Sequence, residues 1–129
     1  MKIIQPPSKG ALPVDTEHFT GGAMITRLDG VSTEPEINVY RVSFEARART
    51  AWHVHSGIQL LLIIEGTCRI QCSGGAVKEV GEGGAVFITA GERHWHGAAN
   101  ENSMTHLAIN INTSTTWFNR VTDEEYEAP

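Results

Sequence analysis

A period of two runs through most of the chain. Asn38 to Ala46 sets Tyr40, Val42, Phe44 and Ala46 on one side and Val39, Arg41, Ser43 and Glu45 on the other. Residues two apart in a strand share a face, so this stretch predicts a strand with its Tyr40–Phe44 side buried. Cys68 to Cys72 repeats the pattern, with Cys68, Ile70 and Cys72 set against Arg69 and Gln71. Near the end, Met104, His106, Ala108, Asn110 and Asn112 share one face, while Leu107, Ile109 and Ile111 share the other. Gln59 to Glu65 is short and almost wholly apolar, which predicts a strand buried on both faces. Further strands are predicted at Ala23 to Leu28, Ala51 to His55, Ala76 to Val80, Ala85 to Thr89 and His94 to Gly97, separated by turn signals such as Asp29-Gly30 and Ser73-Gly74-Gly75. No interior segment keeps a period of 3.6. Only the tail does otherwise: Thr122-Asp123-Glu124-Glu125 has the form of a helix capping box.

Short alternating strands and almost no helix predict an all-β fold, two antiparallel sheets closed into a sandwich or barrel. Residues 1–20, with Pro6, Pro7 and Pro13, read as an irregular arm with a short strand near Ile3 and Ile4. Residues 21–112 form the barrel, and 113–129 a tail carrying the short helix.

Bulk properties narrow the picture. At 129 residues, 40% hydrophobic and 19% charged, the chain fits one globular domain. Its 10 Lys and Arg are scattered, which argues against a nucleic-acid surface. Leu60 to Ile64 is the longest apolar run and is too short to span a membrane. The start, MKIIQPPSKG, lacks the apolar core of a secretion signal, so a soluble cytoplasmic protein is expected. Cys68 and Cys72 on one strand would lie ~13 Å apart, too far for a disulfide. They read as small buried side chains.

The candidate chemistry lies in the histidines. Five of the six fall between Trp52 and Ile109, and four form the pairs His53-x-His55 and His94-x-His96. Two imidazoles side by side on a strand face are a ready pair of metal ligands. Trp52 and Trp95 have the opposite parity and should point away. The face of His106, Ala108 and Asn110 is polar for a barrel interior. A pocket lining is preferred there to a solvent-facing surface, because a few polar groups orient ligands in small-molecule sites. Tyr40, Val42 and Phe44 read as an apolar pocket wall, and Glu45, Arg47, Arg49 and Glu92 as solvated rim charges.

The spacing His53-x-His55, three residues, Gln59, six residues, Gly66 resembles the first cupin motif. Gly83, five residues, Thr89-x-Gly91, two residues, His94 resembles the second. Three positions depart from the usual form: Gln59 stands for Glu, Thr89 for Pro and Ala98 for Asn. The resemblance implies a jelly-roll-like barrel and a divalent metal held by His53, His55, Gln59 and His94. A carboxamide in place of a carboxylate leaves the ion its full charge, making it a stronger Lewis acid and a less tightly held one.

RTAWHVHSGIQ, GERHWHGAA, MTHLAI and VTDEEY are similar to a subgroup of small bacterial cupins that includes manganese-dependent hydroxynitrile lyases. That resemblance implies the His₃Gln ligand set and Mn²⁺ before Fe²⁺, Ni²⁺, Zn²⁺ or Co²⁺. It also implies His96 and His106 as proton-transfer residues. Tyr40, Val42, Phe44, Ala108 and Asn110 would line the substrate pocket. The expected reaction is cleavage or formation of cyanohydrins. An iron- or manganese-dependent dioxygenase and a non-catalytic small-molecule-binding cupin remain alternatives. The expected partners are a small molecule and further copies of the chain, as a homodimer or homotetramer, with neither nucleic acid nor membrane.

Overall fold

The alternating segments pair into two antiparallel sheets in a computed structural model that describes residues 1–129. The strands are β1 Leu12–Pro13, β2 Phe19–Thr20, β3 Ala23–Thr33, β4 Glu36–Phe44, β5 Arg49–Thr50, β6 His53–His55 and β7 Ile58–Glu65. They continue as β8 Cys68–Cys72, β9 Lys78–Val80, β10 Ala85–Ile88, β11 His94–Ala98, β12 Met104–Ile111 and β13 Thr115–Trp117, before the helix α1 Asp123–Glu127. One sheet has the order β1-β3-β4-β12-β7-β10. The other runs β13-β6-β11-β5-β2, with β8 and β9 added beside β11. The helix is too short and too polar to cross a membrane, and no other helix is present.

Register turns the first sheet into inward-facing layers. Asn38, Asn110 and Gln59 lie in one cross-strand row; Arg27, Tyr40, Ala108 and Leu61 lie in the next. Ile25, Val42, His106 and Ile63 form the third row. Ala23, Phe44 and Met104 close the floor against Cys68, Ile70 and Ala98 from the other sheet. The interior therefore grades from polar at the mouth to apolar at the floor. Two glycines allow this closure. Gly66 turns β7 into β8 at φ +76°, a region that disfavours side chains. At Gly97, a Cβ would lie 2.6 Å from Arg49 Cα, so only glycine lets β11 run this close to β5.

Four expectations need correction. Residues 3–4 form no strand; the arm pairs instead through Leu12–Pro13 on β3 and Phe19–Thr20 on β5. Asp29-Gly30 does not end its strand, because a register shift between Leu28 and Ser32 absorbs the extra residues and β3 runs on to Thr33. The run Gln59 to Glu65 is fully buried on one face only; Leu60 and Leu62 are half-buried and Ile64 is 38% exposed, and Leu107, Ile109 and Ile111 on β12 are half-buried beside them. Arg49 is no rim charge. It is 2% exposed, donates to the Val121 carbonyl at 2.8 Å and meets Asp123 at 2.9 Å.

The tail docks on the outside of the second sheet. Trp52, Trp95, Val121 and Tyr126 form a small second core there, so both tryptophans do point away from the histidines. The capping box is present: Thr122 Oγ1 accepts from the Glu125 amide, and Glu125 accepts from the Thr122 amide.

Candidate metal centre

Four histidines converge because two strands of one sheet carry the two pairs in register. His94 on β11 lies opposite His53 on β6, and the rings sit 4.2 Å apart. His55 lies 4.9 Å from His53 and 5.4 Å from His94, ring to ring. His96, two residues beyond His94, points the same way, at 5.4 Å from His53. The first sheet faces them with Gln59, His106 and Asn110. All of these except His94 line one cavity of about 320 Å³, together with Tyr40, Val42, Phe44 and Ala108. Every one of them except Tyr40 is buried; Tyr40 is half-buried at the mouth.

Each potential ligand has one polar atom tied down. His53 Nδ1 meets the Ala51 carbonyl and His94 Nδ1 the Glu92 carbonyl, both at 2.8 Å. A carbonyl only accepts, so both Nδ1 atoms carry the proton and both Nε2 atoms carry a lone pair. His55 Nδ1 is held by Thr115 Oγ1 at 3.0 Å. Gln59 Nε2 donates to Asn110 Oδ1 at 2.8 Å, which turns Gln59 Oε1 the other way. What remains is a set of buried atoms with no protein partner: Nε2 of His55, His94 and His96, Oε1 of Gln59 and Nδ1 of His106. Unpaired buried polar atoms are costly, and a cation in their midst satisfies several at once. Ligands held through their second nitrogen by a carbonyl or hydroxyl are the usual support of a metal site. The donor set therefore fits a divalent ion.

A further triad overlaps the one the motifs imply. Ligand atoms of His53, His94 and His96 all lie within 4.8 Å of one another. These three buried histidines can bind a metal, while His55 and Gln59 border the same cavity.

Electrostatics keeps the cluster neutral. Burial holds His53 and His96 well below the ordinary imidazole range, reinforced by His94 at His53 and by His106 at His96. Burial, then the neighbouring His94, lowers His55 to about 4; burial alone lowers His106 to about 4. His94 is also lowered, again first by burial. Neutral imidazoles are what a metal requires. His106 Nε2 and His96 Nδ1 share a hydrogen bond of 3.1 Å, and Phe44 packs edge-on to both rings at 5.2 and 6.2 Å. The His96 amide donates to Thr50 Oγ1 at 3.2 Å.

Several lining residues carry no sequence signal of their own. Thr115 reaches His55 only because β13 pairs with β6. His18 stacks on Trp117 at 4.3 Å beside the mouth, with its ring next to Asp15. Arg27 faces inward because its cross-strand neighbour is Tyr40.

Comparison with known proteins places this geometry. The model of the cupin domain matches residues 40–110. The (R)-mandelonitrile lyase of Granulicella tundricola is 39% identical over 129 residues, spanning 98% of this chain and 97% of that protein. The crystal structure of a cupin-like protein of Thermotoga maritima matches with a TM-score of 0.84 at 31% identity, over 98% of this chain and 95% of that one. A polyketide cyclase of Streptomyces resistomycificus shares the fold, with a TM-score of 0.69 at 18% identity over 98% and 91% of the two chains. With two sheets curled about a histidine-lined cavity and a family match across its centre, the chain belongs to the cupin family, as a jelly-roll-like all-β member of it.

Proposed function

We propose that this cupin is a metal-dependent carbon–carbon lyase that cleaves and forms cyanohydrins. The observation that carries the reading is a second, hydrogen-bonded imidazole pair, His96 and His106, next to the ligand cluster and buried in the same cavity. The relative named (R)-mandelonitrile lyase supports it along nearly the whole chain. His53, His55, Gln59 and His94 would hold the divalent ion, with Mn²⁺ the first choice. Such an ion supplies Lewis acidity that lowers the pKa of a substrate hydroxyl.

The rest is the work of side chains. His96 Nε2 has no protein partner and faces the cluster, which suits it to accept the hydroxyl proton. As the carbonyl forms, the C–C bond breaks and its electron pair leaves on cyanide. The imidazole pair returns the proton to that cyanide, giving aldehyde and hydrogen cyanide. Burial disfavours the protonated pair, so the proton is not retained. Tyr40, Val42 and Phe44 form the wall against the substrate body, Ala108 leaves room beside Tyr40, and Asn110 borders the ligand Gln59. The cavity falls at the small end of ligand pockets, which suits a one-ring aldehyde.

The test is to load metal-free protein with Mn²⁺, supply benzaldehyde and cyanide, and follow enantiomeric excess. Enantiomerically enriched mandelonitrile is expected. Racemic product at the background rate overturns the reading, and oxygen uptake on a flavonol or diketone would replace it with a dioxygenase.

The outer face of the six-stranded sheet supports self-association. Phe87, Leu60, Ile109, Val39 and Leu28 form one unbroken apolar row across five strands, with Phe87 60% exposed. The strand spacing gives a face of about 500 Å², enough for a modest two-fold contact. A dimer is the expected species in size exclusion with light scattering, and Ile109→Arg should shift it to monomer.

A further inference from the structure

We propose that the cavity contains two overlapping metal seats that share His53 and His94: one completed by His55 and Gln59, the other completed by His96 and selective for Zn²⁺. The inference rests on the cluster being a metal centre and not on the reaction assigned to it.

The first ground is placement. The ligand atoms of His53, His94 and His96 lie within 4.8 Å of one another, and all three rings are buried. His55 lies 4.9 Å from His53 and 5.4 Å from His94, ring to ring, and Gln59 lines the same cavity from the opposite sheet. The second ground is the tautomers. His53 and His94 present Nε2 because carbonyls hold their Nδ1 atoms. His96 has its Nδ1 engaged by His106, and its Nε2 is buried without a partner. When His96 donates in that bond, its Nε2 lone pair is free, so each of the three imidazoles has a lone pair to offer. The third ground is coordination chemistry. Three imidazoles and one open position are a preferred set for tetrahedral Zn²⁺. Three imidazoles with an amide oxygen and room for further ligands suit a six-coordinate ion with more taste for oxygen, such as Mn²⁺. Tetrahedral nitrogens around zinc lie about 3.4 Å apart, so small ring rotations close the His96 seat.

The His96 lone pair is also the one that would accept a substrate proton. An ion in the second seat therefore occupies the base. The choice of ion selects between a protein with His96 free and one with His96 bound.

The experiment compares metal-free wild type, His96→Ala and His55→Ala. Zn²⁺ affinity is read by competition with a chromogenic chelator and Mn²⁺ affinity from the free-ion electron paramagnetic resonance signal. His96→Ala should lose about 10-fold or more in Zn²⁺ affinity and less than about 3-fold for Mn²⁺, with the reverse for His55→Ala. Equal losses for both ions in both variants mean one seat and overturn the proposal. If a variant fails to fold, anomalous density in Zn²⁺-loaded wild-type crystals decides: density bonded to His96 upholds the second seat, and density bonded to His55 and Gln59 overturns it. Ion-selective affinities without cyanohydrin turnover would sink the lyase reading alone. Failure to bind either ion would sink both.

Discussion

Strand β11 has two faces, and they are built on opposite terms. Outward, Trp95 is fully buried with its Nε1 donating to Gln71 at 3.0 Å. Around it, Tyr126 donates to the Ala98 carbonyl at 2.6 Å and lies beneath three guanidiniums at 4.8 to 5.2 Å, those of Arg47, Arg49 and Arg69. On that side Arg49 Nε alone is a buried side-chain polar atom without a partner. Inward, His94 and His96 are equally buried, yet each leaves Nε2 unpaired. The outer face is finished by the protein itself; the inner face is finished by whatever enters the cavity. Stability should therefore reside outside and ligand binding inside.

The sharpest break of that comparison uses neighbours in sequence. Trp95→Ala should cost about 3–5 kcal/mol, as aromatic truncations in a packed core do. His94→Ala in metal-free protein should cost less, about 1–2 kcal/mol, since the lost bond to the Glu92 carbonyl and the cavity are partly offset by removing an unsatisfied Nε2. Urea midpoints at constant m-value measure both. Equal losses would mean the inner face is a structural core after all.

Acid is the next largest lever. His106 is held near 4 by burial, against its ordinary 6.5. Between these values the unfolded chain takes up a proton that the folded His106 refuses. The stability of metal-free protein should thus be flat above about pH 6.5 and fall as pH drops towards 4, by on the order of 3 kcal/mol for this residue alone. His55, also held near 4, adds in the same direction. Replacing His106 with Leu should flatten the slope in a urea series across that window.

How much of this could be read from the chain beforehand differs between the two faces. Parity within single strands was enough to set His53 beside His55, to aim Trp52 and Trp95 away and to join Ala108 and Asn110 to His106's face. Those are local facts with a period of two. What depends on distant pairing was not legible. Arg49 looks like a surface charge until Asp123 and the Val121 carbonyl arrive from the far end of the chain. Thr115–Trp117 has no alternation to announce a strand; its partner β6 makes it one. The grouping of His96 with His53 and His94 depends on cross-strand register, which neither motif encodes.

A smaller effect probes how the inner face is held ready. Asn110 Oδ1 accepts from Gln59 Nε2 at 2.8 Å, and that bond decides which end of the amide faces the histidines. Asn110→Leu should lower Mn²⁺ affinity about 10–100-fold, the usual cost of losing a support behind a ligand. Asn110→Asp keeps an acceptor there and should retain most of it. The same manganese titration separates the two, and an unchanged affinity in the Leu variant would remove Asn110 from the site's support.

The smallest expected effect returns to the outer face. Thr122 caps a helix of five residues, too short to persist alone, so its stability comes from docking. Thr122→Ala removes one bond of the capping box and should cost about 1 kcal/mol in urea. The helix carries Tyr126, whose hydroxyl reaches Ala98, two residues past His96 on β11. If the two faces are independent, Mn²⁺ affinity will not change with the cap. A fall in affinity that tracks the lost stability would show that β11 transmits helix docking to the histidines, and the division of labour between its faces would then be one of degree.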